Sequence, residues 1–274
     1  MRILITGAGG QLGRDLQEVL AGEQLTALDH QTLDIGNRED VVAAVRETSP
    51  AWVVNAAAFN DVDGAESNPT AAFRINADGA GYLAQAANGV GAAILHVSTD
   101  YVFDGRKGTP YVESDTPKPL SVYGRSKFLG EQRVLAANAN AIVARTAWLY
   151  GRHGKNFVKS ILAAAEKGGP LKVVSDQVGS PTSTADLARA IARLIKQPVR
   201  GVLHVVNAGS CSRYEFARAI LPPHIALEPI TTAQAARPAP RPANASLISE
   251  RWPSTGLPPL RSWQEALKDF LREA

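Results

Sequence analysis

Arg2-Ile3-Leu4-Ile5-Thr6-Gly7-Ala8-Gly9-Gly10-Gln11-Leu12-Gly13 runs from a short β-rich segment through a glycine cluster into helical spacing, continued by Leu16, Val19 and Leu20. At a strand–loop–helix junction of this kind, missing side chains let backbone N–H groups and the helix N-terminus approach a pyrophosphate. The glycines at 7, 10 and 13 follow G-x-x-G-x-x-G, with Gly9 as an extra. That spacing departs from the G-x-G-x-x-G of ordinary dehydrogenases and points to a different lineage.

The first half keeps the same rhythm. Gln24 to Asp29 reads as a second strand. Asn37 caps a helix through Val41, Val42 and Val45 that stops before Pro50, and Ala51 to Asn55 is a buried strand. Pro69 suits a first helical turn and opens a long alanine-rich helix through Phe73, Ile75 and Leu83. Ala93 to Ser98 and Ala141 to Arg145 are further strands, flanking a loop rich in Gly, Pro and Asp and a helix carrying Tyr123. From Gly151 the rhythm loosens and prolines gather between Pro222 and Pro259, while Thr184 to Lys196 keeps an amphipathic period. The pattern predicts an α/β protein. A Rossmann-type doubly wound parallel sheet occupies residues 1–150, with helix 184–196 returning to it, and a smaller, mainly substrate-binding region covers 151–274.

The 274 residues, 45% of them apolar, suffice for a real core. A net charge of +3, with no basic tract interleaved with aromatics, argues against nucleic acid. The apolar run after Met1 is too short for a secretory signal, and no run could span a bilayer. Cys211 is the only cysteine, which excludes an intrachain disulfide and fits a reducing compartment. The expectation is a cytoplasmic monomer or homodimer acting on a small molecule, with no nucleic-acid and no membrane partner.

Asp29, ending the second strand, offers a partner for a ribose hydroxyl and favours NADH, whereas Arg14 or Arg38 could accommodate the 2′-phosphate of NADPH. Both cofactors stay open. Asn55-Ala56-Ala57-Ala58 follows a strand with residues small enough for a ribose or flat ring to lie against the backbone. Ser98-Thr99-Asp100 ends another strand at the carboxyl edge, where such sheets bind ligands, and Thr99 can donate to a developing oxyanion. Tyr123-Gly124-Arg125-Ser126-Lys127 puts a phenol and an ammonium on one helix face. Lowering a phenol from roughly 10 by about three units needs roughly 4 kcal/mol of phenolate stabilisation, which a neighbouring lysine can help supply.

Together the runs Gly7 to Gly13, Asn55 to Ala58, Ser98-Thr99-Asp100-Tyr101-Val102-Phe103 and Tyr123 to Lys127 resemble the extended short-chain dehydrogenase/reductases. Val62-Asp63-Gly64-Ala65-Glu66, Arg145-Thr146-Ala147-Trp148-Leu149-Tyr150, Asn156-Phe157, Asp176 to Thr182 and Arg241-Pro242-Ala243-Asn244 narrow the resemblance to the dTDP-4-dehydrorhamnose reductase family. It covers nearly the whole chain. The resemblance implies NADPH or NADH held by Gly7, Gly10, Gln11, Leu12, Gly13, Asp29, Asp34, Ile35, Ala56, Ala57, Ala58, Val97, Tyr123 and Lys127. It makes Tyr123 the general acid, has Lys127 depress its pKa and hold the nicotinamide ribose, and has Thr99 polarise the C4 carbonyl of a dTDP-sugar substrate. Thr99, Asp100, Trp148, Asn156 and Arg241 are the implied substrate contacts, and the implied reaction takes dTDP-4-dehydro-L-rhamnose to dTDP-L-rhamnose.

Two rival readings share the scaffold. A nucleotide-sugar 4,6-dehydratase needs Asp-Glu after the threonine, and here Tyr101 follows Asp100; an epimerase, like a dehydratase, would keep its cofactor bound. A non-catalytic, cofactor-binding regulatory subunit is opposed by the intact Thr99, Tyr123 and Lys127. Two departures from the family stand out. Ala245 follows Asn244 where serine is frequent, and the positions matching the glutamates of a magnesium bridge in some relatives are Asp15 and Ala185. No catalytic metal is expected.

Overall fold

Side chains alternate along β1 (Arg2–Thr6): Ile3 and Ile5 join one hydrophobic cluster and Leu4 another. A strand buried on both faces requires helices on both sides of its sheet. The computed structural model, which describes residues 1–273, shows that arrangement. After β1 come α1 (Gln11–Val19), β2 (Gln24–Leu28), α2 (Arg38–Thr48), β3 (Trp52–Asn55), α3 (Val62–Ser67), α4 (Pro69–Phe73), α5 (Ala80–Gly89) and β4 (Ala93–Thr99). Next are α6 (Val122–Ala137), β5 (Ala141–Thr146), β6 (Leu149–Tyr150), α7 (Phe157–Glu166), β7 (Leu171–Val174), β8 (Val178–Gly179) and β9 (Thr182–Ser183). The chain finishes with α8 (Thr184–Leu194), β10 (Gly201–His204), β11 (Cys211–Ser212), α9 (Arg213–Ile220), β12 (Leu227–Ile230), α10 (Thr232–Ala235) and α11 (Trp263–Glu273).

Six strands form one parallel sheet in the order β2-β1-β3-β4-β5-β10. The chain starts at β1, steps to β2 on one side and returns to β3 on the other, so a crevice opens at the carboxyl ends of β1 and β3. Leu12 and Leu16 of α1 and Leu187 and Ile191 of α8 cover one face; Val41, Leu83 and Val134 from α2, α5 and α6 cover the other. Helix α8 thus packs on the sheet. At the sheet's edge β10 pairs with β5 as a sixth strand that the sequence pattern does not predict and that comes from the region read as mainly substrate-binding.

The long helix expected from Pro69 is broken by a π-helical stretch at Arg74–Gly79. There the Asn76 carboxamide turns away to accept from Phe59 N (2.8 Å) and to donate to Phe59 O and Ser126 Oγ. Elements β6, α7, α9 and α11 bring Tyr150, Val158, Phe216, Trp263 and Phe270 together in a second core, against which Trp148 packs.

Candidate active site

Glycine sets how closely the crevice walls approach. Gly7 has φ +73°, and a Cβ on it would lie 2.5 Å from Ala57 N. A Cβ on Gly13 would lie 2.2 Å from Gly7 O and 2.7 Å from Ala8 Cα. Gly10 opens α1 with no side-chain cap, leaving first-turn N–H groups for an anion. Gly13→Ala must push α1 off the loop, a strain of about 1–3 kcal/mol, and is expected to weaken NADPH binding about tenfold or more in a fluorescence titration.

A cavity of about 810 Å³ runs outward from Gly7 and Gly10 past Ala57, Asp29, Asp34 and Ile35. Asp29 Oδ1 accepts from Gln31 N, Thr32 N and Thr32 Oγ1, and the Gln31 bond leads in holding its carboxyl below the usual range. Asp34 pairs with Arg74 at 2.6 Å. Arg14 and His30 line the same cavity; Arg38 does not.

Past Gly10, Ala56 and Ala58 it continues into a second cavity of about 380 Å³, which holds Gln11, Leu12, Gly13, Val97, Thr99, Asp100, Tyr123, Lys127 and Trp148. The sequence-expected cofactor and catalytic residues therefore converge on one cleft. Helix α6 enters it through Ser121, whose hydroxyl accepts from Gly124 N, and through Glu66, which accepts from Val122 N at 2.7 Å. A Cβ on Gly124 would lie 2.3 Å from Tyr101 O, so only glycine lets α6 start against the end of β4. That contact seats Tyr123 beside Thr99 and edge-on to Tyr101, ring centroids 5.5 Å apart.

Lys127, one turn along, donates to Val97 O at 2.7 Å and lies 3.4 Å from His96 Nε2. Burial lowers its ammonium to about 8 against the opposing pull of Glu131. The Tyr123 phenol moves the other way. Burial pushes it above its ordinary value, and its hydrogen bond with Thr99 opposes that rise. In this arrangement the Lys127 ammonium is turned onto Val97 O, and burial leads among the influences on Tyr123. Thr99 donates to Asp100 Oδ1 at 3.0 Å and accepts from Tyr101 N at 3.2 Å. Burial raises the Asp100 carboxyl to about 7.

Trp148 adopts φ +47°, uncommon for a bulky residue, and its indole lies against Gly179. The guanidinium of Arg213 stacks 3.5 Å from its ring centroid and lines the cleft. Sequence reasoning missed Arg213. It follows an ordinary capping box, Ser212 with Glu215, and nothing local marks it out.

Two other expected contacts stand outside the cleft. Asn156 caps α7 through Lys159 N and donates to Gln11 Oε1 and Gly151 O, which occupies its carboxamide. Arg241 forms a two-pronged pair with Asp63 at 2.6 and 2.9 Å, tying the proline-rich loop to α3 beside Tyr101.

Asp15 and Ala185 line a separate cavity, where carboxylates of Asp15 and Glu18 and the imidazole of His153 come within 4.8 Å of one another. None of these residues borders the catalytic cleft. Turnover is expected to survive prolonged EDTA treatment, measured as initial rate before and after chelation.

A glycine-lined dinucleotide crevice ending at a buried threonine, tyrosine and lysine is the architecture of the short-chain dehydrogenase/reductases. The chain belongs to the family described as RmlD substrate binding domain, whose model matches residues 1–274. It is 46% identical to the dTDP-4-dehydrorhamnose reductase of Mycobacterium tuberculosis over 98% of this chain and 92% of that one. It is 45% identical to a probable dTDP-4,6-dihydroxy-2-methyloxan-3-one 4-ketoreductase of Streptomyces antibioticus, over 98% and 94%. The crystal structure of dTDP-4-dehydrorhamnose reductase from Bacillus anthracis in complex with NADP matches with a TM-score of 0.96 at 39% identity, covering 100% of this chain and 99% of that one. Among the described residues no helix is long and apolar enough to cross a membrane.

Proposed function

We propose that this protein reduces the C4 keto group of dTDP-4-dehydro-L-rhamnose to dTDP-L-rhamnose with NADPH or NADH. The observation that carries this reading is the Tyr123 phenol and the Thr99 hydroxyl lining one wall where the crevice meets the cleft. The cradle that a Cβ on Gly7 or Gly13 would fill fits a dinucleotide, with Gly10, Ala57, Asp29 and Ile35 along it. Bound there, the nicotinamide supplies the hydride.

The chain's own residues manage the proton. Burial keeps Tyr123 protonated at neutral pH, so it holds its hydrogen until the C4 oxygen gains negative charge and then delivers it. Thr99 offers that oxygen a second donor. Lys127 places its positive charge under the same corner, fixed by Val97 O. Asp100, Trp148 and Arg213 form the wall facing the sugar, while Asn156 and Arg241 act by holding that wall's supports.

The test is incubation with dTDP-4-dehydro-L-rhamnose and NADPH or NADH in parallel, with product identification. One equivalent of cofactor oxidised per dTDP-L-rhamnose formed is the expected result. Cofactor retained through purification and regenerated in each cycle would favour an epimerase or dehydratase, and binding without turnover a regulatory subunit.

A further inference from the structure

The Thr99 hydroxyl owns one hydrogen and has two claims on it. It lies 3.0 Å from Asp100 Oδ1 on one side and shares the cleft wall with the Tyr123 phenol on the other, and its oxygen already accepts Tyr101 N–H. A carboxylate only accepts, so an ionised Asp100 takes the Thr99 hydrogen and leaves the Thr99 oxygen to attract the Tyr123 O–H. Both donors then face away from the substrate oxygen. A protonated Asp100 carboxyl instead donates to Thr99, which frees the Thr99 hydrogen and the Tyr123 hydrogen to point into the cleft.

We propose that Asp100 is a positioning residue that sets which way the Thr99 hydroxyl donates, and with it the orientation of the neighbouring Tyr123 phenol, and that reduction requires its carboxyl in the protonated form. The proposal rests on the reductase reading above, in which Thr99 and Tyr123 serve the C4 oxygen. Asp100 is only 3% exposed, which favours the neutral carboxyl. The titratable groups facing it are Tyr101 on its own segment, Tyr123 from α6 and Arg213 from α9, with Arg241 reaching Tyr101 from the proline-rich loop. The Arg213 guanidinium pulls the Asp100 carboxyl towards its charged form, and it opposes burial without overcoming it.

The experiment is a pH profile of single-turnover hydride transfer at saturating NADPH and dTDP-4-dehydro-L-rhamnose. With Asp100 at about 7 and Lys127 at about 8, the wild-type rate is expected to fall about fivefold from pH 6 to 7.5. Asp100→Asn donates to Thr99 at every pH, so its fall over the same span is expected to shrink to about 1.3-fold, the Lys127 contribution alone. A residue that only supported the fold would lower the rate at all pH values and leave the fivefold ratio intact. An unchanged ratio in Asp100→Asn, or a flat wild-type profile, overturns the inference. NADPH titration checks the folding of the variant. If Asp100→Asn fails to bind NADPH, Asp100→Glu decides: the longer carboxyl must displace the descending limb, and an unmoved limb overturns the proposal. Absence of any wild-type turnover defeats the reductase reading instead, so the two failures are told apart.

Discussion

Tyr123→Phe is expected to lower the rate of hydride transfer about a thousandfold, within the 10²–10⁴ range that a positioned general acid contributes. The substitution removes one oxygen and keeps the ring that packs edge-on against Tyr101 at 5.5 Å. It also removes a neutral hydroxyl and leaves no charge unpaired, so the folded state loses little. NADPH affinity should therefore stay within about twofold while the chemical step collapses, a split that assigns the loss to the transition state. Stopped-flow absorbance of NADPH in single turnover reads it directly. A Tyr123→Phe enzyme working within about tenfold of wild type would place the proton source elsewhere, with Asp100, Tyr101 and Lys127 the other titrating groups lining the cleft.

The parts of this molecule that sequence made legible are those whose signal is local. The Gly7 to Gly13 loop, the Asn37 cap and the short β-rich run Arg2 to Thr6 each follow from residues close together in the chain. Strand β10 was not legible, because Gly201–His204 is too short to show a period and its partner β5 lies far back in the chain. Asp63 and Arg241 were both visible as motif residues, yet their pairing joins positions 178 apart, so a guanidinium expected on the substrate is found on a carboxylate. Arg213 fails for a similar reason: its stacking on Trp148 depends on how α9 is placed over the cleft. The direction of the Tyr123 shift was also out of reach. Spacing shows that Lys127 shares a helix face with the phenol, but burial and the Val97 carbonyl decide what the ammonium does there.

Glu131→Ala is expected to be the most destabilising single change near the site. Glu131 lies one turn beyond Lys127 on α6 and accepts Arg145 Nε and Nη2 at 2.9 and 2.7 Å and Ser98 Oγ at 2.5 Å. It therefore fastens the catalytic helix to β4 and β5 directly beneath Thr99. Both partners are nearly inaccessible, with side-chain exposures of 4% and 2%, so removing the carboxylate strands a guanidinium without its counter-charge. Breaking such a pair costs about 3–5 kcal/mol, which for a chain of this size lowers Tm on the order of 10 °C. Replacing both residues by methionine should recover much of that loss, because the large penalty belongs to the unpaired charge rather than to the absent bridge. Catalysis should respond separately. The Glu131 charge supports the Lys127 ammonium, so its removal lets that ammonium fall further below about 8, and the alkaline loss of activity moves to lower pH. Calorimetry of the single and double variants, with the alkaline limb of their rate profiles, separates the two effects: the double variant regains Tm yet keeps the displaced limb.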